Sequence, residues 1–265
     1  MESSLPLHSL PRIMVAPTGA RRTKADHPKI PIMIDEIVAC ARACFEAGAG
    51  GLHAHVRDAA GAHVLDAGLY LELIAEMAQA VPEMQVQITT EAVGRYSPDE
   101  QRRLVRDVMP KSVSVALREM IPVTEDVSAA SEFYHWAADE GVQVQHILYD
   151  AEDLGRLIGL LDSAVLPAGN IQLLFVLGRY TVGQQSAPED LDPFLSLFEG
   201  SSLQNNGAEW ALCAFGSGET DCLLAALSRG GKARIGFENS LWNRDGAVAE
   251  DNVERIRELV SLAGK

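Results

Sequence analysis

The sequence predicts a single-domain (β/α)8 TIM barrel, and three observations carry that prediction. Eight short, apolar, extended runs alternate with eight helical patterns along the 265 residues, which is what a closed parallel barrel requires. No Pro- or Ser-rich linker divides the chain, and its length suits one large domain. Neither GxGxxG nor GxxxxGKS follows the first run, so the structural rival, a doubly wound open sheet, lacks its usual phosphate-binding signature.

The elements follow in order. Residues 1–11 read as a short Pro-containing tail, and 12–265 as the barrel. The first strand is expected at 12–17 (RIMVAP) and the first helix at 34–47, with Gly48 at its C-cap. A strand at 51–57 (GLHAHVR) leads to a helix at 67–80, and a strand at 85–90 (QVQITT) to one at 97–108. There Ser97-Pro98-Asp99-Glu100 reads as an N-cap followed by proline at the first helical position. The strand at 112–117 (SVSVAL) precedes a helix at 124–140 that Gly141 would cap. Strands at 143–149 (QVQHILY), 170–177 (NIQLLFVL), 209–215 (EWALCAF) and 233–238 (ARIGFE) then alternate with helices at 151–163, 187–199, 219–229 and 248–263.

Composition narrows the function. Hydrophobic residues at 47% and charged residues at 22% leave ample apolar surface for a core. The 22 basic and 37 acidic residues give a formal charge of −15, whose field repels a phosphate backbone, so nucleic acid is excluded as an expected partner. A phosphate-bearing small molecule stays open, because a few arginines or a helix N-terminus can hold an anion locally. Cys40, Cys44, Cys213 and Cys222 form no CxxC pair, and Cys40 and Cys44 sit four apart in a helical pattern, as buried reduced thiols do. With no basic leader before an apolar core and no stretch of about 18 apolar residues, the expected location is cytoplasmic, with no membrane contact.

The barrel places chemistry at the C-terminal ends of its strands, and the strongest local signal falls there. In His53-Ala54-His55-Val56-Arg57-Asp58 the two histidines lie two residues apart on a strand, so both rings face one side and can converge on a metal. The plain alternative is two polar residues at a strand end. Arg57 and Asp58 read either as an ion pair that orients the ligands or as a solvated pair. A catalytic metal needs a further protein ligand, yet no histidine lies beyond residue 146. The third ligand should therefore be a carboxylate. Glu238 ends the eighth strand, which closure sets beside the first and second; taken alone, it also fits a helix-capping acid. Two histidines and a glutamate suit zinc, with other divalent metals possible.

The triplet TGA at 18–20, HAHVRD at 53–58, GKARIGFE at 231–238 and the following Leu241 and Asp245-Gly246 resemble the β-keto acid cleavage enzyme family through nearly the whole chain. The resemblance implies a (β/α)8 barrel that binds zinc through His53, His55 and Glu238, and an acyltransferase that condenses a β-keto acid with acetyl-CoA. Acetoacetate would leave and the remaining acyl part would pass to CoA. It also implies a homotetramer. Arg234, four residues before Glu238, would steady a carboxylate or developing oxyanion. Thr89 or Thr90 and Ser114 match places where the family carries substrate-positioning hydroxyls. Arg179 and the backbone of Gly216-Ser217-Gly218 are candidates for the CoA phosphates; the glycines equally fit a tight turn.

Three departures from the family pattern stand out. Where an acid usually follows TGA, this chain has Arg21 and Arg22. The expected general base after the glutamate, an aspartate, is Asn239 here, and an amide takes no proton near neutral pH. At the end of strand five, Gln145, His146 and Ile147 stand where a further acid is expected, with Asp150 the nearest substitute. The alternatives are a CoA-independent metal-dependent lyase or hydrolase of a small keto acid, and a metal-binding barrel that has lost activity.

Overall fold

The structure is a computed structural model and describes residues 9–122 and 127–264. Most of the predicted tail and the first residues of the helix expected at 124–140 lie outside the described residues.

Eight parallel strands close into a barrel in chain order: β1 (Ile13–Val15), β2 (Gly51–Ala54), β3 (Gln85–Thr89), β4 (Ser112–Ala116), β5 (Gln143–Leu148), β6 (Gln172–Leu177), β7 (Glu209–Ala214) and β8 (Lys232–Ile235). The ring is sealed where Met14 of β1 pairs with both Gly51 and Arg234. Around it lie α1 (Ile34–Glu46), α2 (Ala67–Ala80), α3 (Pro98–Val108), α4 (Leu117–Met120), α5 (Ser128–Asp139), α6 (Ala151–Asp162), α7 (Asp192–Phe198), α8 (Ser202–Asn205), α9 (Glu219–Ser228) and α10 (Asn252–Ala263). The short α4 and α8 were not expected from the sequence, and the pattern at 187–199 divides into a 3-10 turn, Pro188–Leu191, and α7. Pro193 suits that break, since proline at the start of α7 needs no intrahelical N–H partner.

Local chemistry fixes the helix starts. Ser97 accepts from Glu100 N while Glu100 reaches back to Ser97 N, a capping box ahead of Pro98. Asp66, Asp150 and Asp251 each cap a helix through the backbone N–H three residues on. The outer faces of the strands pack against the helices in the main core, while Ala116, Ile147, Leu174, Ala211, Cys213 and Phe215 form a smaller cluster inside the barrel. Leu10, placed in the tail by sequence, belongs to that inner cluster. Its N–H donates to Glu209 and its carbonyl accepts from Lys232, at the N-terminal ends of β7 and β8.

Two strands that carry chemistry are shorter than expected. β2 stops at Ala54 and β8 at Ile235, so His55 and Glu238 stand on the loops just beyond the ladder. Those loops meet at the C-terminal mouth of the barrel.

Candidate metal centre and substrate pocket

The loop after β8 turns sharply across the mouth. Gly236 has φ +148°, and a Cβ there would lie 2.4 Å from Ala16 O, so only glycine lets β8 pass this close to β1. Beyond it Glu238 N donates to Ala16 O at 3.1 Å. The ends of two helices hold the turn in place: Phe237 N donates to Asn252 at 2.8 Å, and Gly236 N to Glu219 at 3.4 Å. Glu219 is itself anchored at 2.7 Å by the fully buried Arg255.

His53, His55 and Glu238 bring ligand atoms within 4.8 Å of one another. The hydrogen-bond network sets the ring tautomers. His63 Nε2 lies 3.0 Å from Glu91 O, a carbonyl that can only accept, and burial with the neighbouring His55 ring pushes the His63 pKa down to about 3, so this ring is neutral. Its Nδ1 is therefore bare and accepts from His55 Nδ1 at 3.4 Å, so in the neutral form of His55, the form that ligates a metal, Nε2 is the free nitrogen. On the other side, Gln145 Nε2 donates to Leu173 O and its Oε1 accepts from Gln87 Nε2. Gln87 Oε1 must then accept from His53 Nδ1, at 2.9 Å. The Nε2 of His53 is bare as well, and burial followed by the nearby Arg234 holds the His53 pKa well below its ordinary value.

Two bare nitrogens thus face each other at 3.3 Å, with Glu238 Oε2 3.6 and 3.5 Å from them and without a hydrogen-bond partner. Burial alone would favour the neutral acid, but the Arg234 guanidinium keeps the Glu238 carboxyl well below the usual range. Three acceptors with no proton between them suit a cation, and this donor set fits zinc.

Arg234 is buried beside the cluster. Its Nη2 reaches Glu238 Oε1 at 3.3 Å and Cys213 Sγ at 3.4 Å, while Nε and Nη1 have no partner. A buried guanidinium with free donors is built for an anion. The pocket above is open to solvent and is bounded by the 18–22 segment, the His53, His55 and Glu238 cluster, Thr89, Glu91, Arg179 and an apolar wall of Ile147, Tyr149, Val176 and Phe215.

The other predicted residues divide. Thr89 lines the pocket, its hydroxyl accepting from Glu91 N at 3.1 Å. Thr90 bonds to Ser114 O instead, and Ser114 sits in register with Thr89, fully buried with an unpartnered hydroxyl outside the pocket lining. Asn239 is also fully buried outside that lining, with neither amide atom partnered, and its carbonyl accepts from Arg22 and from Gly216 N. Arg57 and Asp58 form no mutual ion pair among the described residues. Arg57 donates to the carbonyls of Gly19, Arg22 and Gly61, and Asp58 accepts from Ala60 and Ala62. Gln145 faces the barrel interior, whereas Asp150 caps α6 and pairs with Arg118. At Gly216 and Gly218 a Cβ would lie 2.3 and 2.1 Å from carbonyls of Gln184 and Ser186, so the chain at 184–186 packs closely on these two glycines, while Ser217 between them is exposed.

Sequence reasoning missed Glu91 and the orienting role of His63. Glu91 Oε2 lies 3.9 Å from His55 Nε2 and Oε1 lies 3.4 Å from Arg179. The signal was its place, two residues past the end of a strand at the catalytic face.

The fold and this cluster define a (β/α)8 barrel with a candidate metal centre at the C-terminal mouth. The chain belongs to the beta-keto acid cleavage enzyme family, whose family model matches residues 12–265. It is 26% identical to a 3-keto-5-aminohexanoate cleavage enzyme of Fusobacterium nucleatum over 95% of this chain and 90% of that protein. It is 24% identical to the 3,5-dioxohexanoate:acetyl-CoA acetone transferase of Paraburkholderia graminis, over 93% and 87%, and 21% identical to the 3-oxoadipate:acetyl-CoA acetyltransferase of Cupriavidus necator, over 94% and 87%. Among solved structures, ObcA bound to oxaloacetate superposes with a TM-score of 0.70 at 14% identity, over 89% of this chain and 63% of that one. That likeness concerns the fold. Among the described residues no helix is long and apolar enough to cross a membrane.

Proposed function

We propose that this protein is a zinc-dependent β-keto acid cleavage enzyme that condenses a β-keto acid with acetyl-CoA to give acetoacetate and a new acyl-CoA. The observation that carries this reading is the convergence of bare nitrogens from His53 and His55 with unpartnered Glu238 Oε2, beside the free donors of Arg234. The names of the relatives from Paraburkholderia and Cupriavidus, both acetyl-CoA-dependent transferases, support the co-substrate. Zinc bound there would supply Lewis-acid polarisation of a keto oxygen.

The chain's own residues would do the rest. Arg234 would offer Nε and Nη1 to a substrate carboxylate or oxyanion in a water-poor site, where such contacts are worth most. Gln87 and His63 hold the two imidazoles in one tautomer, so no reorganisation is needed when a ligand arrives. Tyr149, Val176 and Phe215 form the wall that would exclude water from the acyl chain. Asn239 cannot take the proton that the family's aspartate is expected to take. The four free cysteines support a reducing, cytoplasmic setting.

A second reading, a CoA-independent lyase or hydrolase of a small keto acid, draws on the close packing of Gly216 and Gly218 against the carbonyls of Gln184 and Ser186, which takes up part of the turn proposed for the CoA phosphates. A screen of β-keto acids with and without acetyl-CoA, read by mass spectrometry, separates the two. Acetoacetate with a matching new acyl-CoA supports the first reading; cleavage without acetyl-CoA supports the second.

A further inference from the structure

Arg179 and Glu91 meet across the mouth of the barrel, one following β6 and the other β3, at 3.4 Å. The guanidinium is packed against Phe215 and Tyr180, 5.3 and 5.8 Å from the ring centres. Its contact with Glu91 is long and made through Nη2 alone, so most of its donors remain for a ligand. The side chain is only 12% exposed. A cation this desolvated discriminates strongly between a charged and a neutral partner.

Its place sets the kind of anion. The same Glu91 carboxylate that touches Arg179 through Oε1 stands 3.9 Å from His55 Nε2 through Oε2. A single carboxyl group therefore bridges most of the gap between Arg179 and the metal cluster. The pantetheine arm of CoA is far longer than that gap, so with a thioester at the cluster the CoA phosphates lie well beyond Arg179. A short acid anchored at the cluster would reach it instead, within a pocket that Ile147 and Val176 also line.

The charge of the pocket agrees. Four arginines, Arg21, Arg22, Arg179 and Arg234, line it against two carboxylates, Glu91 and Glu238. Arg22 donates to the carbonyls of Phe237 and Asn239, and among the described residues neither it nor Arg21 has a carboxylate within ion-pair distance. The pocket keeps an excess of positive charge where its ligand sits.

We propose that Arg179 is a specificity-determining residue that receives a second carboxylate at the far end of the substrate, so that the preferred substrates are short β-keto dicarboxylic acids. This rests on reading the pocket as a β-keto acid site, and the test is one of binding, without acetyl-CoA, so that it stands apart from turnover.

The test is isothermal titration of the zinc-loaded protein with 3-oxoadipate and with 3-oxohexanoate, which share chain length and keto position and differ in ending in a carboxylate or a methyl group. The diacid should bind roughly ten- to a hundredfold more tightly. In Arg179→Met that ratio should collapse to near one, and Arg179→Lys should restore part of it. Equal binding of the two acids by the wild type overturns the proposal, as does binding of neither. A ratio that survives in Arg179→Met also overturns it, and if CoA affinity falls in that variant the residue belongs to the phosphates. Intact discrimination in a protein that transfers no acyl group overturns the acyltransferase reading alone.

Discussion

Nδ1 of His53 donates to Oε1 of Gln87 at 2.9 Å, and this one contact turns the opposite nitrogen of the ring, unprotonated, toward the mouth of the barrel. Gln87 can only present its oxygen, because its amide nitrogen is engaged with Gln145. Purified protein should accordingly carry about one zinc or similar ion per chain, measured by elemental mass spectrometry. His53→Ala/His55→Ala should abolish binding, and Gln87→Leu should weaken it roughly ten- to a hundredfold. Full occupancy in the double variant refutes the site.

Gly19 makes room for Glu238, the proposed third ligand. With φ +64° and a would-be Cβ 2.6 Å from Glu238 Cγ, Gly19→Ala must both strain the loop, by about 1 kcal/mol, and push the carboxylate away. The expected result is a folded protein with weakened metal affinity. Unchanged affinity would show that Glu238 has slack.

Asn239 sits directly after the ligand, with an unpartnered, fully buried amide. Asn239→Asp should keep the metal and, where the only missing part is a base, raise acyl transfer by up to about 10²-fold. A slower variant places the base elsewhere and gives the amide a supporting role. Loss of metal rejects both versions.

His146, on β5, packs against Tyr134 at 5.3 Å, and burial alone pulls its pKa down from 6.5 to about 4. The folded state then binds fewer protons than the unfolded state between those values, so the stabilisation is present above pH 6.5 and lost as pH falls toward 4. The loss amounts to roughly 3 kcal/mol. Urea unfolding between pH 4 and 7 should show a shallower pH dependence in His146→Gln; an identical slope would mean that this ring does not titrate on unfolding.

Much of this was legible in the residues. The alternation of runs and helices predicted the closed barrel because each strand must bury both faces and each helix one, and that burial writes itself into local hydropathy. The HxH spacing and the glutamate after the last strand were legible for a similar reason, since strand geometry and closure are short-range rules. Glu91 was not, because its meaning depends on Arg179 across the barrel, 88 residues away. His63 was unreadable for the same reason: it reaches His55 through a loop whose path is set by Arg57 holding the carbonyls of Gly19 and Gly61. Nor could sequence show that the chain at 184–186 packs against Gly216 and Gly218, a contact between loops some thirty residues apart.

The sealing of β1 between β2 and β8 has a consequence for how the molecule is made. A ribosome delivers the glutamate about 180 residues after the two histidines, so over that stretch of synthesis a nascent chain would hold an incomplete set of ligands. Tight capture of the proposed ion would then wait for the last strand to dock. With the proposed ion bound, chains that have closed would be held shut by it, whereas those that have not would gain nothing. The cluster would then act as a clasp, fastened only when the first and last strands of the barrel have found each other.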